Sequence, residues 1–165
     1  MAFTGGFTGI FTAHTGAGME GTYRIRNVHS GLLLRVAGGR AGGGAPVVQG
    51  AADGTPAELW RVSPVHEGSG LHHIVNAGSG KRLDVANASV ENGATVQQWK
   101  ANGYGAQEWL LEELVEDPGT VILVAHISGL LLEVADAATG EGARVQQWED
   151  RDTPAQWWRL EPAAD

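Results

Sequence analysis

The chain has 165 residues, 42% hydrophobic and 18% charged, a composition suited to one ordinary domain with a real core. Its formal net charge of −8 argues against a surface built to clasp nucleic-acid phosphates. It has no cysteine, hence no disulfide and no thiolate metal site, and its apolar runs fall far short of the ~20 residues of a membrane helix, so no membrane insertion is expected.

Residues 1–20 form a Thr/Gly/Phe-rich arm, distinct from the body at 21–165. Phe3, Phe7 and Phe11 are the only phenylalanines, and each is followed by Thr. The Gly and Thr content opposes an isolated helix. Two readings of the arm stand side by side: a strap on the protein's own body, or a docking arm whose aromatics anchor in a protein partner or a second copy. The N-terminus has neither a basic flank nor a continuous apolar stretch, so no secretory signal is seen. The expectation is a protein cytoplasmic at synthesis, with a non-classical route or a missing leader if it is exported.

From residue 21 the chain repeats itself. Val96-Gln97-Gln98-Trp99 and Val145-Gln146-Gln147-Trp148 lie 49 residues apart, as do Trp109 and Trp158. The same step back reaches a weaker copy, Val47-Val48-Gln49-Gly50 and Trp60. Gly31, Gly80 and Gly129 correspond, as do Leu34, Leu83 and Leu132, with no insertion anywhere. A fixed period of this length marks a repeat architecture in which no single copy buries its own apolar face.

Twenty-five glycines are too many for a helical protein, and here they punctuate short β-branched runs. Each copy is expected to hold about four strands. In the second these fall near 72–76, 81–85, 95–99 and 107–111, with Ser79-Gly80 making the first turn. Leu83 and Val85 alternate with Arg82 and Asp84, which places one face inward and the other, with Asp84, toward solvent. Three copies give twelve strands of an all-β fold, and closure into a barrel removes exposed edges.

The second copy carries the family signal: Ser79-Gly80-Lys81-Arg82-Leu83-Asp84-Val85, then Val96-Gln97-Gln98-Trp99, then Gln107-Glu108-Trp109. Repeated in register over roughly 21–162, this set resembles the ricin B-type lectins, whose fold is a β-trefoil. Positions that hold disulfide cysteines in many members carry Leu33, Arg82 and Leu131, and Ala52, Ala101 and Asp150, so the chain is similar to cysteine-free bacterial members.

The resemblance makes Trp60, Trp109 and Trp158 core residues and gives Gln107 and Gln156 buried backbone partners, Gln107 near the edge of a pocket. It makes Asp84 the acceptor of two sugar hydroxyls, Trp99 the platform for the apolar face of the ring, and Gln97 and Asn102 further hydroxyl partners. A carboxylate suits that role, since it offers two acceptor oxygens and forms charge-assisted bonds. The Asn that usually precedes the closing Gln is replaced by Ala57, Ala106 and Ala155, with Asn102 or Tyr104 as substitutes in the second copy. The third copy keeps Gln146 and Trp148 but has Glu133, one methylene longer, and is the candidate second site. The first has Arg35, Val48 and Gly50 and loses acceptor and platform together, although Arg35 beside the Gly38–Gly44 loop offers a positive charge.

The histidines show no metal-ligand spacing, no Ser/His/Asp set assembles, and no glycine-rich loop leads from a strand into a helix as a phosphate cradle would. No cofactor and no enzymatic activity are expected. Two functional readings remain: a lectin recognising a glycan or polysaccharide through the second and third copies, or a non-catalytic trefoil that docks a partner or itself through Phe3, Phe7 and Phe11.

Overall fold

Short aliphatic and β-branched runs bounded by glycine turns favour strands. A computed structural model describes residues 19–163; Phe3, Phe7 and Phe11 lie outside them. The described residues contain twelve strands, four per copy. The first copy has β1 (Gly21–Asn27), β2 (Leu33–Val36), β3 (Val47–Gly50) and β4 (Trp60–Pro64). The second has β5 (Leu71–Asn76), β6 (Arg82–Val85), β7 (Val96–Trp99) and β8 (Trp109–Glu113). The third has β9 (Thr120–Ala125), β10 (Leu131–Val134), β11 (Val145–Trp148) and β12 (Trp158–Pro162).

The first and last strands of each copy close a six-stranded antiparallel barrel. β12 pairs with β1, β1 with β4, β4 with β5, β5 with β8, β8 with β9, and β9 with β12. Closure leaves the barrel no free edge. The middle strands form the hairpins β2–β3, β6–β7 and β10–β11, which cap one end. Bridges Pro46↔Gln97, Thr95↔Gln146 and Val48↔Arg144 tie the three hairpins into a ring. This is the β-trefoil that the family resemblance implies.

The core is threefold as well. Ile25, Ile74 and Leu123 occupy equivalent barrel positions; Val47, Val96 and Val145 occupy equivalent hairpin positions; all are fully buried. Trp60, Trp109 and Trp158 have no exposed surface, and each indole Nε1–H donates to the carbonyl of Leu34, Leu83 or Leu132 at 2.9–3.1 Å. Gly31, Gly80 and Gly129 turn the chain into the hairpins at φ of 76°, 73° and 75°, a left-handed conformation that favours glycine.

The middle glutamine of each motif, Gln49, Gln98 and Gln147, is fully buried and joins neighbouring copies. The Gln98 side chain accepts from the Ser79 hydroxyl at 2.6 Å and donates to the carbonyls of Arg40 and Gly42 in the first copy, both at 2.9 Å. Gln147 clamps Ser89 and Glu91 of the second copy, and Gln49 clamps Ala138 and Gly140 of the third. Each copy therefore grips the loop that follows the second strand of the copy before it in the ring.

One boundary differs from the sequence expectation. The last strand of the second copy begins at Trp109, because Gly105–Gln107 is a 3₁₀ turn. That turn aims the Gln107 side chain back under the hairpin instead of along a strand.

Candidate functional site

In the second copy, β6 supplies Asp84 and the adjacent β7 supplies Gln97, its register partner, and Trp99. The 100–107 segment then folds back across them. Asp84 is 4% exposed, not on an open face as the strand alternation implied, because two amides cover it. Gln97 Nε2 donates to its Oδ1 at 3.1 Å, and Gln107 Nε2 to its Oδ2 at 3.0 Å. Gln107 is fully buried behind the carboxylate and also donates to the Lys100 carbonyl at 2.8 Å, so it fixes Asp84 and does not border the open space. Burial raises the Asp84 carboxyl above its ordinary pKa, and the two amide donors oppose that rise.

In front of Asp84 lies a depression of about 310 Å³, lined by Asp84, Asn87, Ala88, Gln97, Trp99, Asn102, Tyr104 and Ala106. Trp99 is 38% and Tyr104 67% exposed, which makes two aromatic walls available to a ligand. A Cβ on Gly43 would sit 3.4 Å from Trp99, so the first copy's glycine loop backs the indole in close contact. Asn87 reaches the rim from a backbone at φ 59°. With the two amides bound to it, Asp84 still has acceptor capacity and makes no ion pair with any described residue.

The third copy brings Glu133, Gln146 and Trp148 together with the same hydrogen-bond logic. Gln146 Nε2 donates to Glu133 Oε2 at 2.7 Å and Gln156 Nε2 to Oε1 at 3.1 Å. Here the longer carboxylate is fully buried and has a cation. Arg151 NH2 lies 2.7 and 2.9 Å from its two oxygens, and the guanidinium carbon lies 4.9 Å from the centre of the Trp148 ring. Gly93 of the second copy backs Trp148 as Gly43 backs Trp99.

The first copy reverses the charges. Arg35, at the acceptor position, donates to Asp53 at 2.7 Å and reaches the buried Glu58, which replaces the closing glutamine, at 3.4 Å. The Arg35 hydrogen bond, and after it the hydroxyl and backbone N–H of Thr55, hold Asp53 well below the usual carboxylate pKa. A Cβ on Gly50 would fall 2.7 Å from Arg35 Cδ, so the arginine stem lies where a platform side chain would start. The positive charge of Arg35 is thus paired internally.

Family comparison agrees with this threefold geometry. The model of the ricin-type β-trefoil lectin domain-like family matches residues 10–99, 57–148 and 105–165. The chain belongs to the ricin-type β-trefoil lectin family. No curated protein matches it. Among solved structures it is similar to ThreeFoil, a designed threefold-symmetric protein, at 36% identity and TM-score 0.82 over 87% of this chain and all of that one. It is similar to the exo-β-1,3-galactanase of Clostridium thermocellum at 29% identity and TM-score 0.81, covering 95% of this chain and 33% of the enzyme. The Macrolepiota procera ricin B-like lectin, solved with lactose, shares the fold at 16% identity and TM-score 0.74 over 92% of this chain and 99% of that one.

In this ricin-type trefoil, sequence reading missed Asn87 on the pocket rim and Arg151 in the third copy. The repeat offered a signal for both: Asn87 aligns with Gly38 and Asp136, and Arg151 with Asp53 and Asn102. Among the described residues, no group of His, Asp and Glu is placed to hold a metal ion, and no helix is long and apolar enough to cross a membrane.

Proposed function

We propose that this chain is a non-catalytic lectin domain that binds a glycan in the second-repeat pocket. Members of the family are generally non-catalytic carbohydrate binders, and membership supports carbohydrate binding as the general activity. The observation that carries the finer reading is Asp84: a carboxylate held by Gln97 and Gln107, without a cation, beside the exposed indole of Trp99. In this role Asp84 accepts bonds from two neighbouring sugar hydroxyls, and Trp99 covers the apolar face of the ring. Asn102, Asn87 and the Tyr104 hydroxyl reach further hydroxyls, which compensates for Ala106 where the family usually has Asn. Gln107 acts from behind, by fixing the carboxylate.

Galactose-containing glycans are the first ligands to try, since similar proteins were solved with lactose and with a sialylated galactose epitope. A glycan array probed with the wild-type chain and with Asp84→Ala tests the reading. The expected result is a set of glycans bound by the wild type and lost in the variant. Equal binding by both proteins refutes this site.

A further inference from the structure

One pair of positions differs in all three pockets and sets their charge, the acceptor on the second strand of the copy and a residue 18 further on. The pair is Arg35/Asp53, Asp84/Asn102 and Glu133/Arg151. In the first and third copies it forms a salt bridge, at 2.7 Å in each. In the second copy the residue 18 on is neutral, and Asp84 faces open space.

The third copy shows what that salt bridge does. The Arg151 guanidinium sits against both Glu133 oxygens, where two sugar hydroxyls would donate. It also lies over Trp148, where a sugar ring would stack. Both recognition elements of the copy, carboxylate and platform, are satisfied by one side chain of the same chain. One guanidinium nitrogen shared by both oxygens of a fully buried carboxylate makes two charge-assisted contacts, and a neutral hydroxyl is a poor competitor for them. Trp148 is accordingly half-buried, whereas Trp99 is exposed.

We propose that Arg151 is a built-in occupant of a latent third-repeat glycan site, and that the 133/151 pair limits this lectin to one pocket lined by both an acceptor carboxylate and an indole, since the third-repeat depression is lined by Arg151 and not by Glu133 or Trp148. The proposal rests on the lectin reading of the second repeat. It makes Arg151 the residue that sets valency, and it makes avidity depend on linking several chains and not on several sites within one.

The test follows the indole N–H signals of the six tryptophans in ¹⁵N-labelled full-length chain during a lactose titration, with Trp99 and Trp148 assigned by substitution. In the wild type, only Trp99 is expected to shift. In E133D/R151N, which copies the Asp84/Asn102 pair into the third repeat, Trp148 is expected to shift as well, so one responding site becomes two. Copying a pair the fold already tolerates avoids the buried, unpaired Glu133 that R151N alone would leave, and a thermal melt checks that the double variant is folded. The reciprocal D84E/N102R, which copies the third-repeat pair into the second, is expected to silence Trp99. A Trp148 shift in the wild type, or none in folded E133D/R151N while Trp99 responds, overturns the proposal. A Trp99 shift that persists in D84E/N102R overturns it too. If neither indole shifts in any of the proteins, the lectin reading for this sugar falls, and the proposal falls with it.

Discussion

Asp84 carries opposing demands. Its carboxyl is raised above the ordinary value by burial, so the folded protein holds that proton to higher pH than the unfolded chain does. Where the folded state binds more protons, stability falls as pH rises, from the ordinary aspartate pKa through the raised folded one. The ionised group is therefore a cost to the fold above that window. Asp84→Asn removes the charge, and the Gln97 amide is free to turn its oxygen toward the new NH₂ group. The variant is expected to melt at higher temperature than the wild type at pH 7, with the difference vanishing in acid. It is also expected to bind glycan about 100-fold more weakly, since one charge-assisted bond of about 1.5–3 kcal/mol is lost and the other becomes a weaker neutral one. Titration calorimetry beside melting curves reads both effects. Binding by the wild type should weaken in acid sooner than for an aspartate of ordinary pKa. Trp109 has no such conflict. Trp109→Ala empties a fully buried site, strands the Leu83 carbonyl, and should cost about 3–5 kcal/mol in urea unfolding.

The hairpins and loops explain how a platform is held. Trp99 stands on β7, yet the surface behind it is the first copy's glycine loop, and Gln98 holds that loop by two carbonyls. Gln98→Ala should therefore lower stability by about 1–3 kcal/mol, the cost of polar groups left without partners, and should also weaken glycan binding. Gly43→Leu is expected to weaken binding with little change in melting temperature, because the added side chain meets Trp99 at a position that is itself exposed. Lactose titration of each variant beside its melting curve separates the two outcomes. The role of Gln98 was hidden in the sequence because Gln97 and Gln98 are identical neighbours. Their opposite faces on one strand give one to the pocket and the other to the core. The alternation of Leu83, Asp84 and Val85 misled for a related reason: the outer face of β6 is covered by side chains from the 3₁₀ turn at Gly105–Gln107 and from β7, which strand periodicity does not register.

For the whole molecule, the threefold plan was legible early because tryptophans, glycines and leucines recur every 49 residues, and such residues mark core and turns wherever they stand. The loss of acceptor and platform in the first copy was legible too, but the internal pairing of Glu133 in the third was not. Arg151 aligns with Asn102 in the sequence, but only the folded chain carries its guanidinium back over Glu133 and Trp148. The fold tolerates every state of the pocket, with charge paired one way, charge paired the other way, and left open, because the Trp60, Trp109 and Trp158 core beneath is the same in each copy. Architecture and pocket chemistry thus vary independently along one repeat. The central claim concerns the open copy, and a crystal structure of the chain with the best-binding glycan of the array tests it most directly. A sugar ring stacked on Trp99, with two hydroxyls within hydrogen-bond distance of Asp84, is the predicted result. A glycan seated in the first or third repeat, or elsewhere on the surface, with the second-repeat pocket empty, would contradict it.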